Sequence, residues 1–192
     1  MKLLNRYTKG QYEYAAFNKK KSILIAAAMF SLSLIIYFTG VTTTGSNKNL
    51  LTIVAVLGML PASKLLVAAI MSLRVKVVDE EVKNEIDEAT QNLNGFYHMY
   101  FTSYDKNFAI SHMIVNKKVL ICFYEDQKFN KDAFKEHIET MMKRAGHSNI
   151  VVSVTNDIEK YCHMLSDLDT NLTDSEIAID DEIRISLYEI CL

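Results

Sequence analysis

Two long apolar runs occupy the first part of the chain, and shorter, patterned segments follow them. "SILIAAAMFSLSLIIYFTG" (22–40) contains no charge, and "LLTIVAVLGMLPASKLLVAAIMSL" (50–73) contains only Lys64. A bilayer core about 30 Å thick takes roughly 20 helical residues to cross. Both runs meet that length, and the polar loop 41–49 between them predicts an antiparallel transmembrane hairpin. Beyond it, "DEEVKNEIDEATQNL" (79–93) predicts a helix with acids in its first turn, where the helix dipole favours them. Segments 95–104, 107–115 and 118–124 are rich in aromatic and β-branched residues. With polar turns at Asp105-Lys106 and Asn116-Lys117, they predict an antiparallel meander. "FNKDAFKEHIETMMKRAG" (129–146) predicts a helix with Asn130 as N-cap, a Phe129–Phe134 staple and Gly146 as its left-handed end. A buried strand at 149–155 follows, then a helix over 156–168 capped by Asn156. The tail 174–192 reads as a helix able to end in a short strand. The expected fold class is α/β: a two-helix transmembrane hairpin, then a cytosolic domain with a three-strand meander, a further strand and flanking helices.

Charge divides the chain in the same place. Residues 1–78 hold ten basic residues and one acid, Glu13, a balance of +9; residues 79–192 hold eleven basic and twenty-two acidic residues, a balance of -11. Six basic residues precede the first run, Arg74 and Lys76 follow the second, and the loop has only Lys48. Basic residues stay on the cytoplasmic side. The expected localisation is therefore the inner cell membrane, multi-pass, with both termini cytoplasmic. The expected divisions are a basic cytoplasmic or interfacial segment (1–21), the hairpin (22–73, with spans at about 22–40 and 50–73) and a cytosolic α/β domain (74–192). Cys122, Cys162 and Cys191 are too irregularly spaced for a disulfide framework or a zinc site, and read as small thiols in a reducing compartment.

Within the second run, four residues are candidates for contact with the membrane or a partner: Gly58, Pro61, Ala62 and Lys64. Pro61 has no amide hydrogen to donate to the Leu57 carbonyl, which favours a kink. Lys64 stands ten residues from Arg74, about 15 Å along a helix, and a charge at such depth costs around 3 kcal/mol. No acid occurs between residues 14 and 78, so Lys64 has no intramembrane counter-ion in its own chain. It either snorkels to phosphates or water, or meets a group of a partner; a segment that re-enters rather than spans is a further alternative. Gly58 and Ala62 belong to a small-residue stripe with Ala55, Ala69 and Ser72. Such stripes allow close helix packing, here either against Ala26, Ala27 and Ala28 of the first span or against another chain.

The domain carries no phosphate loop, GxSxG, HExxH or paired-cysteine motif, so its catalytic residues are unknown and no metal or cofactor is expected. His98 and His112 fall on neighbouring strands without a third ligand. Asp180-Asp181-Glu182 reads as a solvated helix face. The order helix, three strands, helix, strand, helix resembles the restriction-endonuclease-like core, and "ISHMIVNKKVLICFYEDQK" (110–128) looks like the strand pair that bears its metal site. That resemblance implies an aspartate at Ser111 and a glutamate and a lysine at Tyr124 and Asp126. Their replacement implies a degenerate, non-catalytic relative. Through "LPASK", "ISHMIV" and "EHIETMMKRAGHSNIVVSV", the chain is also similar to small, uncharacterised two-span bacterial membrane proteins with a cytosolic α/β tail. The domain charge opposes nucleic acid. The expected function is a membrane-anchored interaction module, its partners the lipid bilayer and a membrane protein or a second copy. A membrane-bound enzyme, a degenerate nuclease-like relative and a small transport accessory subunit are the alternatives.

Overall fold

A computed structural model describes residues 8–90, 93–103, 106–168 and 171–191. Its elements are α1 (Tyr12–Thr44), α2 (Leu50–Arg74), α3 (Glu80–Thr90), β1 (Gly95–Thr102), β2 (Asn107–Asn116), β3 (Val119–Phe123), α4 (Lys131–Arg144), β4 (Val151–Thr155), α5 (Ile158–Ser166) and α6 (Asp174–Ile190). The chain forms two compact bodies, one containing Glu13–Val75 and the other Thr8–Tyr12 together with Lys76–Leu192.

In the first body, α1 and α2 are each long and apolar enough to cross a membrane. Small residues recur every seven positions on both: Ala26, Ser33 and Gly40 are buried on α1, and Ala55, Ala62 and Ala69 on α2. A seven-residue repeat keeps one face of a helix turned toward its neighbour. A Cβ on Gly58 would stand 2.9 Å from Ser33 Oγ, and one on Gly40 would stand 2.7 Å from Leu51 Cβ. These two approaches share one antiparallel register. Ala27 and Ala28 are exposed, so the seam uses Ala26 and the residues one and two heptads beyond it. Asn49 caps α2 by accepting from the Thr52 amide at 2.8 Å. The helix then runs unbroken through Pro61 to Arg74.

The second body is a four-stranded sheet in the order β1-β2-β3-β4, antiparallel except for the parallel β3–β4 pair. Helices α4 and α6 cover one face over Met99, Phe101, Phe108, Met113, Leu120 and Phe134. Helices α3 and α5 cover the other, over Ile86, Tyr97, Ile114, Phe123, Tyr161 and Leu165. The face assignment slips within the first hairpin. Tyr97 and His112 lie toward the second face, whereas Met99 and Ile110, two residues away on each strand, lie toward the first. The cause sits between them: His98 has φ +55 and, with Ser111, drops out of the ladder, while the register on either side is unchanged. A one-residue change in side-chain alternation turns every following residue to the other face.

Local punctuation largely follows the sequence. Asn130 accepts from the Ala133 amide at 3.0 Å, the Phe129 and Phe134 rings lie 5.3 Å apart, and Gly146 has φ +91. Four details differ. The strand expected to be buried is β4, at the edge of the sheet, with Val151 60% exposed. Helix α5 is capped by Asp157, which accepts from the Lys160 amide at 3.1 Å, rather than by Asn156. The β2–β3 turn lies at Lys117-Lys118, both with positive φ, one residue later than expected. Asp180 is 1% exposed, not part of a solvated face. Its carboxylate accepts from the amides of Lys117 (2.8 Å) and Lys118 (3.1 Å). Two left-handed lysines are unfavourable by themselves, and this buried acceptor holds them. The Asp105-Lys106 turn lies partly outside the described residues. The tail is a helix, and the residue that follows it, Cys191, bridges to Phe101 as an isolated strand contact.

Candidate functional site

Residues 8–12, ahead of the first apolar helix, belong to the second body and tie down its margin. The Gly10 carbonyl accepts from the Tyr97 amide at 2.7 Å, covering part of the edge of β1. Lys9 Nζ donates to the carbonyls of Tyr188 (3.2 Å) and Cys191, at the end of α6. Helix α6 has no basic residue in its own last turn, so Lys9 supplies the cation that favours a helix C-terminus. The Tyr12 hydroxyl donates to the Val78 carbonyl at 2.6 Å, and the Val78 amide donates to His98 Nε2 at 2.9 Å. Val78 is thus held at both backbone groups, and the first residue of α1 meets the segment after α2 within one body. The signal for this in sequence is weak: aromatics and lysines beside an apolar helix also describe a flank at a membrane surface.

Behind this strap, the α3–α5 side brings several titratable groups together. The Tyr97 hydroxyl donates to Asp87 at 2.6 Å, and Lys83 Nζ lies 2.5 Å from the other carboxylate oxygen. Burial pushes the Asp87 carboxyl up, but the hydrogen bonds from Lys83 and Tyr97 outweigh it and leave the group below its usual range. His112 Nδ1 and the Tyr161 hydroxyl share a hydrogen bond of 2.7 Å, and the Tyr97 ring packs 4.3 Å from the imidazole. Burial drives the His112 pKa down to about 3 and the Tyr161 hydroxyl well up, so both stay neutral at ordinary pH. A Cβ on Gly95 would collide with His112 Nε2, which closes the remaining side. The residue opposite His112 on β1 is Tyr97, not His98. With His112 1% exposed and Tyr161 0% exposed, the pair specifies how α5 sits on the sheet and is closed off from solvent.

An open concavity lies on the other side, a cleft of about 540 Å³ between the far end of the β1–β2 hairpin and α4. Thr102, Phe108, His137, Thr140 and Arg144 are among its walls. The His137 ring packs 5.7 Å from Phe108. Burial and then the Arg144 charge push its pKa down. A neutral imidazole is a competent base, but a nucleophile and an orienting partner must also be within hydrogen-bond reach. Among the described residues none is bonded to it.

The four residues singled out in α2 separate into two pairs. Gly58 and Ala62 lie in the seam, Gly58 against Ser33, while Pro61 and Lys64 are exposed. Among the described residues no three His, Cys, Asp or Glu side chains converge as a metal site. At the positions implied by the nuclease resemblance, the Ser111 hydroxyl donates to Glu125 at 2.9 Å, and Tyr124 stacks on Phe129 at 4.2 Å beneath the core. Comparison of the chain with family models, with curated proteins and with solved structures finds no match.

Proposed function

We propose that this protein is a membrane-anchored interaction module in which α1 and α2 cross the bilayer and hold the acidic α/β body at its cytoplasmic face. The observation that carries this reading is the inverted surface of the hairpin. Only 17% of the most apolar stretch of each helix is buried, and Leu24, Ile35, Phe38, Leu57, Leu60 and Val67 point outward. A core helix of a water-soluble protein buries such residues; a helix in lipid exposes them. The same-side placement of the two flanks is supported by the Tyr12–Val78 bond, which joins the segments on either side of the hairpin. Its cytoplasmic side is supported by the eight flanking basic residues against one in the loop. Lys64, exposed near the middle of α2, then reaches for inner-leaflet phosphates or for an acid of a membrane partner.

The test is membrane fractionation combined with reporters fused after Leu192. The protein should resist alkaline extraction, and a reporter active only in the cytoplasm should be active. Activity of an export-dependent reporter at that position would overturn the topology, and release by alkali would overturn the anchoring. Lys64→Leu separates the two roles of the lysine. A snorkelling residue yields more favourable insertion, by about 3 kcal/mol on the insertion scale, with every crosslinked complex retained. A partner contact yields loss of one complex at unchanged protein levels.

A further inference from the structure

Helix α6 carries an outward face that the packing of its own body leaves uncovered. Among the described residues of that body, the exposed large apolar side chains are Val151, Ile177, Ile179, Ile185 and Tyr188. Four of these five are on α6. Ile177, Asp181, Ile185 and Tyr188 follow one another at spacings of four, four and three, which puts them in one stripe along the helix. The opposite side is the one buried on the sheet, through Asp180, Ile183 and Leu187. Ile185, at the middle of the stripe, is 60% exposed. Single exposed apolar residues are ordinary on any surface, whereas an aligned set marks a contact surface.

The charges around the stripe select its occupant. Glu182 and Glu189 are exposed beside it. The one basic side chain of α6, Arg184, is drawn inward, bonded to Asp181 at 2.9 Å and to the Val115 carbonyl at 3.2 Å. Lys9 lies over the Tyr188 ring at 5.1 Å at one end, and Lys117 stands 3.6 Å from Glu176 near the other, which leaves the middle of the face flanked by acids. A second copy would bring the same acids against these, and an anionic bilayer would repel them. We propose that this face docks a basic amphipathic helix of a partner protein. Its apolar anchors seat on Ile177, Ile185 and Tyr188, and its lysines or arginines face Glu182 and Glu189. The inference rests on the interaction-module reading and names the chemistry of the partner.

The test uses the full chain in nanodiscs of zwitterionic lipid, with empty discs as the blank. The probe is a labelled peptide of about 14 residues, built from lysine, alanine and glutamine with leucines on a single helical face. A scrambled peptide of the same composition is the control, and binding is followed by fluorescence anisotropy. The patterned peptide should bind saturably. Its affinity should fall about tenfold or more in Ile185→Asp and in the Glu182→Lys/Glu189→Lys pair. It should be retained in Glu159→Lys, which changes an exposed acid on another helix. Circular dichroism of the variants should match the parent, since every changed side chain is exposed. Equal affinity for the scrambled peptide, or indifference to Ile185→Asp, would overturn the proposal. So would an interaction that requires anionic lipid, or self-association of the chain lost in Ile185→Asp. Failure of the peptide with the reporter topology intact removes this inference alone; the reverse outcome removes the membrane reading and leaves the surface standing.

Discussion

Ala62 in the hairpin and Phe134 in the α/β body are both 0% exposed, yet their sites require opposite things of a side chain. Around Phe134, large groups from β1, β2 and the start of α4 meet at ring distances of 5.3 to 5.8 Å. The space exists because it is filled. Around Ala62, the neighbouring helix approaches because so little is there, as the contact of Gly58 with Ser33 shows. Large apolar residues are plentiful in both regions but point inward in one and outward in the other. In water, removing them from solvent is the main driving force. In lipid, as proposed for the hairpin, they gain nothing by meeting each other, and close packing of small residues takes over. Burial alone therefore does not say which substitution a site tolerates; the surrounding solvent does.

The largest effect expected from breaking this comparison is on the aromatic side. Phe134→Ala should cost about 3–5 kcal/mol through lost burial and a residual cavity, measured by denaturant unfolding of the full chain in nanodiscs. In the hairpin the damage should come from enlargement. Ala62→Leu should destabilise by about 1–3 kcal/mol as the helices are forced apart, whereas Ala27→Leu, on the exposed side of α1, should be near neutral. Thermal unfolding of the two variants side by side checks that contrast.

A smaller, pH-dependent effect arises on the α3–α5 face of the sheet. His112 titrates near 6.5 when unfolded and at about 3 when folded. Below pH 6.5 the unfolded chain therefore gains a proton that the folded chain refuses. Stability from this group is complete above pH 6.5 and falls by up to about 1.4 kcal/mol per pH unit as the pH drops toward 3. By pH 5 the loss should be about 2 kcal/mol. His112→Gln keeps a partner for Tyr161 and cannot be protonated in this range, so it should flatten the slope. A slope unchanged in that variant would assign the acid sensitivity elsewhere. The smallest effect tests the helix boundary: Asp157→Ala should cost about 1 kcal/mol as the α5 cap is lost, and Asn156→Ala close to nothing.

Most of the fold was legible in the chain because it is local. The two apolar runs, the position of each strand, the Asn130 cap with its phenylalanine staple, and Gly146 depend on residues within a few positions of one another. The misplaced α5 cap was a choice between two adjacent capable residues, Asn156 and Asp157, and only the path of the chain into the helix decides between them. The cleft beside His137 was not legible, because Phe108 and Arg144 come from distant parts of the sequence. The α6 stripe was present in the spacing of Ile177, Ile185 and Tyr188, but which side of that helix faces out depends on the sheet beneath it.

By itself the sequence determined two long apolar helices, an acidic α/β body and the residue types available to each, since hydrophobic period and capping act over one or two turns. Tertiary structure alone decided three things. Asp180 left the surface because two left-handed lysine amides 62 and 63 residues away needed an acceptor. The side-chain alternation of β1 and β2 reversed at His98 and Ser111 because the two strands must serve different helices at their two ends. Residues 8–12 joined the second body because the unpaired edge of β1 and the carbonyl end of α6 both offered them partners. Each is a hydrogen-bonding or packing demand between residues far apart in the chain, and such demands have no expression in local pattern.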